Sequence, residues 1–183
     1  TATIVLTAPA VADNCTAPNN ITLTNNAPTG GIFPIGNTTV TWTATDVAGN
    51  TVTKTQLVTV TDTTVPTIST PVAMTATAGN NCSAVVVLTA PTAADNCTTV
   101  TLTNNAPASG LFPIGVTTVT WTATDASGNT ATATQTVTVT DAIAPVISAP
   151  ATITVNAGSN CTATVVLTAP AVSDNCTAPN SIT

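Results

Sequence analysis

Residues 111–129 read LFPIGVTTVTWTATDASGN, and the fold can be inferred from this segment. Within it, residues 118–124 alternate threonine with Val, Trp and Ala, which is the period-2 pattern of a half-buried β-strand. Residues 125–129 follow as a turn, because Asp hydrogen-bonds the local backbone and Gly accepts a positive φ. We therefore predict a β-hairpin whose second strand runs from 130 to 140 and carries Gln135 on its inner face. Trp121 and its counterpart Trp42 share the inner face with Val and Ala, so we expect both to lie in the core.

The same segment occurs twice, because residues 32–50 repeat it with a shift of 79. Asp-Asn-Cys also returns at 13–15, 95–97 and 174–176, and residues 162–183 repeat 1–22 almost letter for letter. Self-similarity at a fixed period is the signature of repeat architectures. Short strands with Pro and Gly turns in a unit of this size indicate a β-sandwich. We therefore predict an all-β chain of tandem sandwich repeats with a period of 79–82 residues.

The strand pattern stops near Asp62 and Asp141, shortly before Pro66 and Pro145. We place the repeat boundaries there. The expected domains are a partial repeat lacking its first strand, a complete repeat, and the N-terminal half of a third repeat, at 1–62, 63–142 and 143–183. Further strands are expected at 84–89, 153–155 and 164–168.

Composition excludes several classes of function. The chain contains no His and no Glu, its seven acidic residues are all Asp, and Lys54 is its only basic residue. A single cation cannot neutralise a row of phosphates, so nucleic acid is not an expected partner. No apolar run approaches the roughly 18 residues of a spanning helix, so direct membrane insertion is not expected. Without His or Glu, no nucleophile, base and orienting group can be assembled, and the chain is expected not to be an enzyme.

The five cysteines follow the repeat. Cys82 and Cys97 lie 15 positions apart, as do Cys161 and Cys176, and the same interval before Cys15 falls just ahead of Thr1. Paired cysteines in a chain without His favour disulfides in an oxidising compartment over a zinc site. We predict Cys82–Cys97 and Cys161–Cys176 disulfides, with Cys15 bonded to a residue preceding Thr1. A straight eight-residue strand extends about 26 Å, so this pairing requires a short or bent strand after Cys82.

Aspartates recur once per repeat in turns and near the linkers, which suggests a calcium hypothesis, since oxygen-rich loops suit a hard cation. The alternative is that these carboxylates cap turns and strand ends. The sequence leaves both readings open, and no other cofactor is expected. The calcium candidates are Asp46, Asp62, Asp125 and Asp141.

A long motif runs Phe-Pro-Ile-Gly-x-Thr-Thr-Val-Thr-Trp-Thr-Ala-Thr-Asp-x-x-Gly-Asn, and Thr-Val-Thr-Asp and an Asp-Asn loop follow it. It resembles the hyalin repeat (HYR) domain. The resemblance implies an immunoglobulin-like sandwich, an adhesive role in extracellular proteins, and no catalytic residue. The Cys positions usual in that family correspond here to Ala149 and Ala133, so the 15-spaced pairs are expected to substitute for the family disulfide. Thr-rich, nearly uncharged arrays of this kind also resemble the very large surface adhesins of gliding bacteria.

Two hypotheses for function follow. The first is a structural or adhesive stalk segment of a secreted or cell-surface filament, whose partners are neighbouring repeats, copies of itself or surface glycans. The second is a ligand-binding module for calcium, glycan or ice. Exposed strand edges also permit association into fibres, either as one long chain or as subunits that exchange strands.

Overall fold

The computed structural model describes residues 1–178, 181 and 182, and within them the chain is built almost entirely of β-strands. Single turns of 3₁₀ helix occur at Pro18–Asn20 and Thr29–Gly31. No helix in the described ranges is long and apolar enough to cross a membrane. The strands are β1 Ala2–Thr3, β2 Thr22–Asn25, β3 Ile32–Phe33, β4 Gly36–Thr45, β5 Thr51–Val60, β6 Thr67–Ile68, β7 Met74–Thr77, β8 Ser83–Val85, β9 Ala93–Ala94, β10 Val100–Asn104, β11 Leu111–Pro113, β12 Gly115–Asp125, β13 Thr130–Thr140, β14 Val146–Ile147 and β15 Val172–Ser173.

The second repeat forms a four-stranded sheet in the order β10-β12-β13-β7. β12 and β13 form the sequential hairpin and β10 pairs with β12, whereas β7 closes the other edge by pairing parallel to β13, with Met74 opposite Val137. β8 and β11 pair antiparallel as a second, smaller sheet. Along both long strands of the hairpin, more buried side chains alternate with half-buried or exposed ones. The predicted all-β repeat architecture and the central hairpin are therefore confirmed.

The core of this repeat is built from Phe112 on β11 and from the inner-face residues of β12 and β13. Trp121 is 5% exposed, which confirms its predicted place in the core. Its indole Nε1 donates a 2.9 Å hydrogen bond to Oε1 of Gln135, whose side chain is completely buried. Nε2 of Gln135 in turn donates to the carbonyl oxygen of Val72 at 2.7 Å. Both polar side chains in this core are thereby satisfied, as burial requires.

The first repeat has the same hairpin but a smaller sheet, in the order β2-β4-β5. β4 and β5 pair antiparallel over ten residues. Trp42 again lies in the core and donates from Nε1 to Oε1 of Gln56 at 2.9 Å. Gln56, however, is exposed, because no strand in the described part of this repeat covers β5 as β7 covers β13.

In the described residues of the third repeat, β14 and β15 form one short antiparallel pair. The predicted strands at 153–155 and 164–168 were wrong, since neither segment is a strand here. Residues 153–155 correspond to β7, which needs a β13 to pair with, and the described third-repeat residues contain no such strand. The strand predicted at 84–89 is limited to β8, because β11, its partner, is equally short.

The chain divides into two compact units. Unit 1 contains residues 1–66, 94–101 and 124–130, and unit 2 contains residues 67–93, 102–123 and 131–183. The Asp-Asn-Cys loop of the second repeat and the tip of its hairpin therefore group with the first repeat and its linker.

The buried Trp–Gln pair generates a first prediction. Gln135→Ala leaves Trp121 Nε1 and the Val72 carbonyl without partners in a dry core, so we expect it to cost about 1–3 kcal/mol of the free energy of unfolding. Urea titration followed by tryptophan fluorescence measures this cost. Gln56→Ala is the matched control and should cost less, because water replaces the lost partner at an exposed site. Equal costs for the two variants would contradict the structural role given to Gln135.

Candidate functional site at the repeat ends

Asp46 and Asp125 organise the hairpin turns. The Asp125 carboxylate accepts hydrogen bonds from the backbone N–H groups of Ser127 and Asn129 at 2.9 and 2.8 Å, and from Nδ2 of Asn129 at 2.8 Å. Asp46 accepts from the N–H and Nδ2 of Asn50, both at 2.7 Å. Both oxygens of each carboxylate accept hydrogen bonds within the turn. This is the arrangement expected if these aspartates cap turns and do not bind calcium.

Each Asp-Asn-Cys loop has the same local structure. Asp13 Oδ1 accepts from the N–H groups of Cys15 and Thr16 at 2.9 and 2.7 Å, and Asp95 and Asp174 repeat these two bonds. Hydrogen bonds from the cysteine N–H groups hold the pKa of all three carboxyl groups below its ordinary value, because they favour the charged form. Asp46 has a lowered pKa for a similar reason, led by the bond from the Asn50 side chain.

A cluster of potential metal ligands lies in unit 1, where the linker residue Asp62 meets Asp95 and Cys97. One ligand atom from each residue lies within 4.8 Å of the other two. Oδ1 of Asp62 accepts from Thr64 N–H at 3.1 Å, while Oδ2 of both Asp62 and Asp95 is buried without a hydrogen-bond partner. Asn129 donates from Nδ2 to the Asp62 carbonyl oxygen at 3.1 Å, which ties the linker to the hairpin tip.

The four calcium candidates therefore have different surroundings. Asp62 joins a cluster, together with Asp95, which was not among the candidates. Asp46 and Asp125 are occupied by turn hydrogen bonds, and the Asp141 carboxylate accepts from Ile143 N–H at 3.0 Å. Calcium binding itself stays a prediction.

The cysteine pairing differs from the prediction. Cys82 is bonded to Cys176, while Cys15, Cys97 and Cys161 are free thiols. The predicted Cys82–Cys97 and Cys161–Cys176 pairs were wrong, because β8 carries the chain away from Cys82 to pair with β11, and the Asp95 loop holds Cys97 beside Asp62. The expected partner of Cys15 ahead of Thr1 stays a prediction.

The open edge of the first repeat is the second notable feature. β5 pairs with β4 on one side only, so the backbone groups of its other edge have no strand partner in the described chain. A groove of about 370 Å³ lies on this repeat, lined in part by Trp42, Leu23 and Lys54.

The third repeat carries a segment whose counterpart covers the corresponding edge in the second repeat. Ile153 and Val155 correspond to Met74 and Ala76 of β7, and they are 48% and 49% exposed.

The sequence pattern placed Gln135 on the inner face but did not indicate that it and Gln56 bind the tryptophans. A signal was present, because a glutamine occupies the same inner-face position on the second strand of both hairpins, and it recurs with the shift of 79 that relates the tryptophans. Asp95 was likewise missed as a partner of Asp62, because the two residues are distant in sequence.

Comparison with known proteins gives a consistent result. The model of the HYR domain family matches residues 1–60 and again 61–139. Hyalin from Lytechinus variegatus is 40% identical over 131 residues, 67% of this chain and 25% of that protein. Hyalin from Strongylocentrotus purpuratus is 37% identical over 156 residues, 81% of this chain and 13% of that protein. The chain thus spans a quarter or less of the length of these relatives.

Among solved structures, the extracellular cadherin domains 1–4 of protocadherin gamma B7 match 91% of this chain and 51% of their own. The identity is 12% and the TM-score is 0.41. A likeness this distant carries no argument about the chain.

The lowered carboxyl pKa values predict acid-sensitive stability. A carboxyl group whose pKa is lower in the folded than in the unfolded state stabilises the fold at any pH above its unfolded-state pKa, which lies near 4. This contribution is lost as the pH falls through the folded-state pKa. We therefore expect the melting temperature to hold between pH 7 and 5 and to fall below about pH 4. The variant Asp13→Asn/Asp95→Asn/Asp174→Asn keeps the amide acceptors but cannot titrate, so its fall should be smaller. An equal fall in both proteins would contradict this account.

Proposed function

Because this chain belongs to the HYR domain family, we propose that it is a structural and adhesive module of an extracellular repeat array in which successive sandwiches complete one another's sheets. The observation that carries the proposal is that one chain contains both a strand with an unpaired edge, the acceptor, and a segment whose counterpart covers that edge in the second repeat, the donor. The acceptor is β5 of the first repeat, and the donor is the segment 152–156 of the third repeat.

The second repeat supplies the template for this completion. There β7 pairs parallel to β13, with Val137 opposite Met74 and Val139 opposite Ala76. The counterparts of Val137 and Val139 one repeat earlier are Val58 and Val60, and the counterparts of Met74 and Ala76 one repeat later are Ile153 and Val155. The same register therefore places Val58 opposite Ile153 and Val60 opposite Val155. Addition of a strand to an exposed edge gains main-chain hydrogen bonds, and the alternate side chains give specificity.

Two sources can supply the covering strand with the same chemistry. One is a preceding repeat in a longer chain, which gives a covalent stalk of the kind that very large surface adhesins use. The other is the segment 152–156 of a second copy, which gives a filament of strand-exchanged subunits. Self-association separates them, because only the second source makes the 183-residue chain associate with itself.

An extracellular location is part of the proposal. The Cys82–Cys176 bond supports it, since disulfides persist in oxidising compartments and are rare in reducing ones. The outward-facing threonines give the repeats an uncharged hydroxyl surface on which neighbouring repeats or surface glycans can lie. The proposed role is mechanical and adhesive, without a catalytic step.

Self-association tests the strand-completion proposal. We expect the wild-type chain to form head-to-tail oligomers in sedimentation velocity under reducing conditions. Ile153→Asp/Val155→Asp places charges on the donor face that packs inward in β7, so oligomers should be lost. Val166→Asp is the matched control, because Val166 is 86% exposed and its counterpart Val87 is 83% exposed even within the complete repeat.

A second experiment uses a lengthened variant in which the chain itself supplies the strand that covers the acceptor edge. Joining a copy of residues 143–161 ahead of Thr1 restores the repeat sequence without a break, because 162–183 repeats 1–22. This variant should lose self-association and gain stability in the first repeat. A wild-type chain that is monomeric, while the joined variant is stabilised, assigns the covering strand to a preceding repeat. A monomeric wild type with no stabilisation of the joined variant would refute strand completion.

A second candidate function, calcium-dependent stiffening of the linker, is favoured by one specific observation. Asp62 and Asp95 each hold a buried Oδ2 with no partner, and buried unpaired carboxylate oxygens are costly unless a cation or a donor satisfies them. Calcium prefers carboxylate and carbonyl oxygens. The two carboxylates would hold the ion, while the Cys97 thiol is a soft ligand that calcium does not favour.

Thermal unfolding in calcium tests this second candidate. Calcium that binds only the native state stabilises it. Saturating calcium should therefore raise the melting temperature of unit 1, which contains both carboxylates, by roughly 5 °C or more. Asp62→Asn and Asp95→Asn should abolish the rise. Asp46→Asn should keep it, because that carboxylate is occupied by its own turn. A rise that survives Asp62→Asn would place any calcium elsewhere.

A further inference from the structure

We propose that Asp62, Asp95 and Cys97 form a binding site for a thiophilic divalent cation of the zinc class, with the Cys97 sulfur as one of its ligands. One ligand atom from each residue lies within 4.8 Å of the other two. Calcium would use the two carboxylates and leave the thiol without a role. Zinc, unlike calcium, takes carboxylate oxygen and thiolate sulfur together. The proposal shares its carboxylates with the calcium candidate and rests on no part of strand completion.

Each carboxylate is held in place by one oxygen and presents the other. Oδ1 of Asp62 accepts from Thr64 N–H at 3.1 Å. Oδ1 of Asp95 accepts from the N–H groups of Cys97 and Thr98 at 2.9 and 3.0 Å. Oδ2 of both aspartates is buried and has no hydrogen-bond partner. The backbone bonds therefore orient the carboxylates as outer contacts do in metal sites, and a bound cation would satisfy the two remaining oxygens.

The Cys97 sulfur is available to an ion and is already oriented. It is a free thiol at the surface, which gives an ion a path into the site. Nδ2 of the neighbouring Asn96 donates a hydrogen bond to the sulfur at 3.1 Å. A contact of this kind positions a sulfur ligand in metal sites. When the sulfur binds the ion, the thiol proton passes to solvent.

The size of the cluster suits a small ion. Zinc–oxygen and zinc–sulfur bonds of about 2.0–2.3 Å place neighbouring ligand atoms of a tetrahedral ion roughly 3.5 Å apart. From a separation of at most 4.8 Å, the three ligand atoms would need to approach one another by no more than about 1.3 Å. Three protein ligands leave the fourth position of the ion to water.

Other aspartates of the chain show what distinguishes this place. The loop of Asp13 has the same backbone bonds, from the N–H groups of Cys15 and Thr16. Asp125 is 5% exposed, but both of its oxygens accept hydrogen bonds within its own turn. Among the described residues, two buried carboxylate oxygens without partners meet a free thiol at this one place.

Cadmium titration tests the sulfur ligand, because cadmium bound to a thiolate absorbs in the near ultraviolet. The full chain with its Cys82–Cys176 bond intact should develop this band with one equivalent of cadmium, and zinc should remove it by competition. Cys97→Ser should abolish the band. Cys15→Ser and Cys161→Ser are the matched controls, because both residues are exposed free thiols, and they should leave the band unchanged. A band that requires Cys15 or Cys161 and not Cys97 would overturn the proposal.

Asp62→Asn and Asp95→Asn test the oxygen ligands. Each variant keeps an acceptor oxygen for the backbone bonds but removes the negative charge, so zinc should bind at least about 10-fold more weakly. Asp46→Asn is the matched control and should bind zinc as the wild type does, because both Asp46 oxygens are occupied in its turn. Competition with the cadmium band measures these affinities, and circular dichroism without metal shows that each variant is folded. Unchanged zinc affinity in Asp62→Asn and Asp95→Asn would overturn the assigned ligands.

Melting curves separate this proposal from the calcium candidate. Zinc should raise the melting temperature of the wild type by roughly 5 °C and should not raise that of Cys97→Ser. This result without any effect of calcium would support the zinc site and refute the calcium candidate. A rise with calcium that persists in Cys97→Ser, without any effect of zinc, would overturn the zinc site and retain the calcium candidate. No rise with either ion would refute both, and strand completion would stand or fall on its own sedimentation test.

Discussion

The strict alternation of one inward and one outward side chain along the central hairpin determines how the rest of the fold assembles. A slip of one residue between β12 and β13 would turn Val137 and Val139 outward and bring threonines into the core. The Trp121–Gln135 hydrogen bond supports the correct register, because the indole donor finds its acceptor only when these two strands are correctly aligned. The first repeat reproduces the arrangement with Trp42 and Gln56, so the register is a property of the repeat itself.

The same alternation leaves the outer faces to threonine, and this choice shapes how the repeats meet other molecules. Many proteins protect exposed strand edges with lysine or other charges. The one basic residue of this chain, Lys54, lies on β5 itself but outside residues 58–60, which would pair with the covering strand. An edge such as that of β5 therefore offers unpaired backbone groups with little electrostatic opposition. Threonine combines high β-propensity with a neutral hydroxyl, which suits a surface that must stay ordered and also accept another strand.

The period-2 pattern made the hairpin, the repeat and the buried tryptophans predictable, because each depends on residues close in sequence or on exact recurrence. The cysteine pairing was not predictable in this way. The second and third repeats each carry one cysteine before β8 or its counterpart and one in the Asp-Asn-Cys loop, so a partner 15 residues away and a partner 94 residues away fit the sequence equally well. The same limit explains why residues 153–155 were predicted as a strand: their pattern matches β7, but a strand also requires a partner. Asp95 joined Asp62 through tertiary structure, which the spacing of aspartates does not encode.

Pairing between repeats, as opposed to pairing within them, changes how an array responds to stress. In a linear array, stability is approximately the sum of a term for each repeat and a term for each interface between neighbours. A disulfide within a repeat adds to the first term and leaves neighbours free to separate. The Cys82–Cys176 bond adds to the second term, and a loop of this length is worth about 4–5 kcal/mol on the chain-entropy model. In the proposed array, a β-strand that completes the sheet of a neighbour would add to the same term. The disulfide therefore makes the unfolding of one repeat depend on the next, and strand completion would act in the same direction.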